Sequence, residues 1–128
     1  MTTWKLQKLC YYSQAWALVW SDGVPLFEED FQAWRNGPVC RELYDAHKGL
    51  LTITAEDLKV GQSEHLNYDE KDTIEAVLRS YGHRTPLDLS ERTHFETPWL
   101  KARNGLAEYE PCDHIITKDS MGEYYGSL

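Results

Sequence analysis

Asn36-Gly37-Pro38 constrains this chain more than any other stretch, because it forces a corner between an aromatic-rich extended run and an apolar-patterned segment. Gly37 tolerates a positive φ, Pro38 fixes its own φ near the helical value, and residues that precede proline avoid the α region. The expectation is an extended run over residues 31–34, a turn, and a helix opening at Pro38. Trp34 and Arg35 are then displayed on a rigid corner, with Tyr44 in the helix that follows.

Around this corner the periodicity is helical. Residues 4–20 place Leu6, Leu9, Cys10, Ser13, Trp16, Ala17 and Trp20 on one face, with Lys5, Lys8 and Gln14 elsewhere on the wheel, and Ser21-Asp22-Gly23 ends the helix. Residues 24–27 and 31–34 flank the acidic turn Glu28-Glu29-Asp30, which suits a two-stranded ribbon or two extended segments. A helix over 38–47 turns Val39, Leu43 and Ala46 inward and stops at Gly49. Thr54 caps a one-turn helix to Leu58, and a polar loop covers 61–64. Asn67 with Glu70 opens a helix carrying Ile74, Val77, Leu78 and Tyr81, closed by Gly82. Thr85-Pro86 and Thr97-Pro98 each place a capping hydroxyl before a proline, which predicts short helices ending near His94 and Asn104-Gly105. After an acidic loop, Ile115-Ile116 forms an apolar anchor, and Thr117 caps a last helix with Met121, Tyr124 and Tyr125 on one face. The predicted fold class is mainly α: a compact single domain of about six helices with a short two-stranded β ribbon or extended element. Trp16, Trp20 and Trp99 are assigned to its core for the area they bury.

A length of 128 residues suits one domain spanning the chain. Lys and Arg number 13 against 21 acidic residues, a net charge of −8 that lies almost wholly beyond Ile53. That balance opposes tracking of nucleic-acid phosphates and suits a basic protein partner. Cys10, Cys40 and Cys112 are odd in number and widely spaced, so no closed disulfide framework uses them all, and a reducing compartment is expected. No stretch approaches the roughly 20 apolar residues that span a bilayer, and no uninterrupted apolar leader opens the chain. The expected setting is the cytoplasm, without membrane contact.

Catalytic patterns are missing. Cys112-Asp113-His114 falls short of a zinc ligand set, and neither metal nor cofactor is expected. On one helix Cys40 and His47 would stand two turns, about 10 Å, apart, too far for a thiol–imidazole pair, so Cys40 reads as a core residue. There is no phosphate-binding glycine loop, Gly-x-Ser-x-Gly elbow or His-Glu-x-x-His run. The short helices after Tyr81 could mimic a helix-turn-helix unit, but Asp88, Glu91 and Glu96 crowd Arg92 where a basic reading face is needed. The chain therefore reads as a binding protein and not an enzyme. Trp34, Arg35 and Tyr44 are of the types that dominate interface hot spots, although the same block also suits a folding motif that docks the ribbon on the first helix. His94 ties a loop to a neighbouring helix or meets a partner.

Three blocks occur in a specific order: Leu6-Gln-Lys-Leu-Cys-Tyr-Tyr-Ser-Gln-Ala-Trp16, then Ala33-Trp-Arg-Asn-Gly-Pro-Val39 with Glu42-Leu-Tyr44, then Thr93-His-Phe-Glu-Thr-Pro-Trp99. Together they resemble the Panacea-domain family of SocA-like antitoxins and phage-associated GepA-like proteins, over nearly the whole chain. The resemblance implies a non-catalytic antitoxin that binds and neutralises a cognate protein toxin. In the SocA-like case it does so as an adaptor that delivers the toxin to a ClpXP-type protease. The alternatives are a phage- or prophage-associated protein binding another host factor, and a small DNA-associated regulator. Partner binding is placed on Tyr12, Gln14, Trp34, Arg35, Gly37, Pro38, Tyr44 and His94. Family members usually carry an additional helix ahead of the first block, whereas this sequence begins five residues before it, so either the start is truncated or that helix is absent.

Overall fold

The computed structural model describes residues 1–52, 68–107 and 110–128. In chain order it contains α1 (Thr3–Trp20), β1 (Phe31–Trp34), β2 (Gly37–Cys40), α2 (Arg41–His47), α3 (Tyr68–Tyr81), α4 (Pro86–His94), α5 (Thr97–Arg103), β3 (Ile115–Ile116) and α6 (Lys118–Gly126). The fold is mainly α, as expected, with a small antiparallel sheet in the order β2-β1-β3.

Helix α1 begins at Thr2, whose Oγ1 accepts from the Lys5 N–H at 3.1 Å, and ends in left-handed Asp22 and Gly23. It runs through the middle of the molecule and packs against α6, α3, β2, α4 and α2. A helix enclosed on so many sides has no single apolar stripe, so the wheel reading fails for two residues expected to face away from the core: Lys8 and Gln14 are buried beside Leu9, Tyr11, Tyr12 and Leu18. Trp20 is the converse correction. It lies past the enclosed part of the helix, is 54% exposed, and stacks on Trp16 at 5.3 Å, whereas Trp99 is buried and Trp16 packs on the core.

The core is aromatic and partly polar. Tyr11 meets Phe31 edge-on at 5.3 Å, and Tyr12 stacks on Tyr81 at 4.2 Å. Glu96 accepts from the Tyr12 hydroxyl at 2.6 Å, and the Tyr125 hydroxyl lies 2.9 Å from the same oxygen and 3.1 Å from the Tyr11 hydroxyl. Burial pushes the Glu96 carboxyl above its ordinary range, against the opposing pull of its tyrosine donors and Arg92. One side chain thereby ties α1 and α6 to the α4–α5 junction.

The ribbon differs from expectation in its partner. Phe31 pairs with Cys40 and Trp34 with Gly37 across β1 and β2, while Phe31 and Gln32 pair with Ile116 and Ile115 of β3. Residues 24–27 are held by α1 instead, because Gln14 donates to the Phe27 carbonyl at 2.8 Å and accepts from the Leu26 N–H at 2.7 Å. Pro38 sits in the edge strand β2, where its missing N–H is tolerated, and α2 starts only at Arg41. This later start leaves Ala46 exposed and turns His47 inward.

Thr85 and Thr117 cap α4 and α6 as expected, each accepting a backbone N–H at 3.1 Å. Thr97 does not act as a cap. Glu96 takes the N-cap position and Thr97 is already helical. In α3, Val77 and Tyr81 face inward with Thr73, whereas Leu78 is exposed. The expected Thr54 cap and its helix, the 61–64 loop and the Asn67 cap lie outside the described residues.

The positive φ that closes the β1–β2 hairpin falls on Gly37, at +115°, and not on Arg35 or Asn36. A Cβ on Gly37 would also stand 2.6 Å from Lys8 Cε and 2.9 Å from Thr93 Oγ1. Lys8 cannot swing away cheaply, since its ammonium is buried and bonded to the Pro38 carbonyl. Gly37→Ala should therefore destabilise the fold by about 1–3 kcal/mol or more, read as a lower urea midpoint with unchanged m value.

Candidate functional site

A groove of ≈ 780 Å³ opens between α1, the β1–β2 hairpin, α2 and residues 111–113. Helix α1 contributes Trp4, Gln7 and Lys8, the hairpin contributes Trp34, Arg35 and Asn36, and α2 contributes Tyr44 and His47. Trp34 and Tyr44 meet edge to face at 5.0 Å, and the Arg41 guanidinium lies over both rings at 5.9 and 5.8 Å. Arg35 and Asn36 are exposed at the tip of the hairpin.

This tip is fixed through its backbone carbonyls. From α1, the buried Lys8 ammonium donates to the Pro38 carbonyl at 3.1 Å. On the other side, Trp99 Nε1 donates to the Trp34 carbonyl at 2.8 Å, Arg103 donates to the Ala33 carbonyl at 2.9 Å, and the Ser90 hydroxyl donates to the Asn36 carbonyl. Arg103 in turn lies over the Trp99 ring at 4.8 Å. A turn gripped from both faces presents its side chains in one orientation.

Gln7 fixes the other wall. Its Oε1 accepts from the Cys40 N–H at 2.9 Å and its Nε2 donates to the Cys40 carbonyl at 3.2 Å, which sets the direction of the amide. The same Nε2 stands 3.0 Å from His47 Nε2, so the imidazole accepts there and carries its proton on Nδ1. Tyr44 packs edge-on against this ring at 5.5 Å. The Cys40 thiol is not an activated nucleophile: burial pushes it up to about 11, and its hydrogen-bond partner is the Glu42 carboxylate at 3.4 Å. Among the described residues no group of three or more His, Cys, Asp or Glu is placed to hold a metal ion, and no helix is long and apolar enough to cross a membrane.

Of the sequence-selected residues, Trp34, Arg35 and Tyr44 line the groove together. Gly37 and Pro38 are buried beneath it and shape the hairpin without presenting surface. Tyr12 and Gln14 are also interior: Tyr12 bonds Glu96, and Gln14 holds residues 26–27. Both side chains are enclosed in the scaffold of the free chain. His94 stacks on Trp99 at 4.3 Å, behind the hairpin rather than in the groove. Gln7, Lys8 and His47 were missed as groove residues. Two polar side chains in succession within an aromatic helix were the available signal, because buried polar groups need specific partners.

Lys8 is 1% exposed, and desolvation lowers its pKa from 10.5 to about 7. The unfolded chain then holds this proton more tightly than the native one, so stability rises with pH above about 7. Melting temperature is expected to increase from pH 7 to 9, by at most about 1.4 kcal/mol of stability per pH unit. Lys8→Met should flatten that slope. Above pH 9 the trend reverses, as Cys10 and Cys40, held up at about 12 and about 11 by burial, ionise only on unfolding.

Neither a curated protein nor a solved structure matches the chain. The family model described as antitoxin SocA-like, Panacea domain, matches residues 6–100, a span that holds most of α1 through most of α5 and contains all the helical and hairpin residues of the groove save Thr3 and Trp4. By this match, over more than half its length, the chain belongs to the Panacea-domain family of SocA-like antitoxins.

Proposed function

We propose that the chain is an antitoxin that neutralises a cognate protein toxin by docking it in the groove between α1, the hairpin and α2. The observation that carries this reading is the convergence of the sequence blocks. The first supplies Gln7 and Lys8, the second supplies Trp34, Arg35 and Tyr44, and the third buttresses the hairpin from behind through Trp99. Half-buried aromatic side chains beside an exposed arginine on a rigid backbone are what an interface centre requires, and a specific interface of about 800 Å² per partner fits on these elements. Carboxylates outside the groove steer a basic toxin during approach, while the groove sets the docked pose. The role is non-catalytic.

Co-purification of the tagged chain with the product of its neighbouring gene, from the full operon, tests the pairing. A stoichiometric complex is the expected result, and recovery of the chain alone would send the search to another partner. Within such a complex Arg35→Ala should leave folding stability within about 0.5 kcal/mol, because the side chain is exposed. It should weaken toxin binding by more than about 1 kcal/mol. Equal loss of stability and binding would make the block a folding motif, and unchanged binding would remove Arg35 from the interface.

Delivery to a Clp-type protease is a separable extension of this reading. Toxin half-life, measured with and without the chain in cells having or lacking the protease, shortens only when both are present if delivery operates. A toxin equally stable in all four backgrounds is neutralised by occupancy alone.

A further inference from the structure

Charge in the groove runs opposite to charge on the chain. The molecule carries −8, yet among the described residues the groove is lined by two basic side chains, Lys8 and Arg35, against the carboxylate of Asp113. Arg41, Arg84 and Arg92 each face a carboxylate at i+4, at 3.5, 2.9 and 3.9 Å. Arg35 faces none among the described residues, although it projects from a turn whose backbone is gripped on both faces. Lys8, beneath the hairpin, spends one of an ammonium's three donors on Pro38 and has no carboxylate partner among the described residues.

Resting on the reading of this groove as the toxin-docking surface, we propose that it receives an acidic side chain of the toxin, Asp or Glu, on the Arg35 guanidinium above the Lys8 floor. The planar guanidinium matches a carboxylate through parallel hydrogen bonds. Trp34 and Tyr44 exclude water beside it, which strengthens the pair over one formed in solvent. A lowered Lys8 pKa fits an amine whose charge lacks a counter-ion in the free protein. Nucleic-acid phosphate is a poorer match, because it needs a row of cations, and here Asp113 faces the same groove on a strongly acidic chain.

The test is a charge exchange in the complex of the full chain with its neighbour-encoded toxin. Arg35→Glu should bind wild-type toxin at least about tenfold more weakly than Arg35→Ala does, since like charges repel across the contact. Each toxin Asp and Glu is then changed singly to Lys and titrated against both chains. One such variant, weakened against the wild-type chain, should bind the Arg35→Glu chain to within about threefold of the wild-type pair. If Arg35→Glu and Tyr44→Ala both weaken binding but no toxin variant restores it, the carboxylate proposal falls and the groove remains the docking surface. If both bind like wild type, the groove itself is the wrong surface and the proposal falls with it. Binding of a labelled DNA duplex that Arg35→Glu abolishes would overturn the proposal by assigning the cations to phosphate. Thermal melts, expected to match wild type for Arg35→Glu at its exposed position and to fall modestly for Tyr44→Ala, whose ring packs on Trp34 and His47, confirm that the comparison is between folded proteins.

Discussion

The grip on the β1–β2 hairpin is the constraint from which the rest of the molecule follows. Backbone carbonyls of a short exposed turn would ordinarily face water, but here those of Ala33, Trp34, Asn36 and Pro38 are taken by Arg103, Trp99, Ser90 and Lys8. The donors come from α1, α4 and α5, so those helices cannot shift without breaking the turn. Burying Lys8 and Arg103 is costly for a domain this small, and hydrogen bonds to carbonyls offset only part of the desolvation. A lysine left with a pKa of about 7 shows how incomplete that compensation is. What the arrangement gains is a single geometry: Gly37 has no room for a side chain because Lys8 and Thr93 already occupy the space.

Local signals in the chain were reliable where one residue acts on its own backbone. The Thr85 and Thr117 caps, the Ser21-Asp22-Gly23 stop and the left-handed Asn104 are fixed by neighbours a few residues away, and each lies where the pattern places it. The errors arise where distant contacts decide. Pro38 reads as a helix start, because nothing near it in sequence reveals that β1 will claim residues 37–40 as an edge strand. Residues 24–27 read equally as a ribbon strand or an unpaired extended segment, because nothing nearby in sequence says whether they meet another strand or the Gln14 amide. Lys8 and Gln14 read as solvent-facing because a wheel assumes one wet side, and α1 is enclosed by five packed elements. Trp34 and Arg35 were legible as residues displayed at the corner, since turn chemistry positions them. His47 was not, because its inward turn depends on α2 beginning at Arg41.

A second polar cluster divides the labour of the core. Glu96 gathers Tyr12 and, through Tyr125, Tyr11, on the side of α1 that meets α6 and the α4–α5 junction, whereas Lys8 and Gln7 serve the hairpin and α2. The two clusters respond to pH in opposite senses. A carboxyl with a raised pKa favours the native state at low pH and withdraws that support as it ionises, while a lysine with a lowered pKa adds support as the solution becomes alkaline. The core thus balances a carboxyl pushed up by burial against an amine pushed down by it.

That balance bears on how the groove would work. Association loses affinity for every side chain and loop it must order, and a turn already gripped by buried donors leaves little to order. Its tip residues therefore meet a partner with most of the conformational cost settled during folding. The same economy explains why sequence blocks far apart converge on one small surface. Trp34, Arg35 and Tyr44 of the second block line the groove, and residues that hold the hairpin beneath them, Gln7, Lys8, Thr93 and Trp99, lie in the other two blocks. A partner whose anchor changed shape or charge would need new residues only at the tip, while the buried grip stayed as it is. The division between a fixed interior grip and a small outward set is the physical basis on which one scaffold could present different recognition residues.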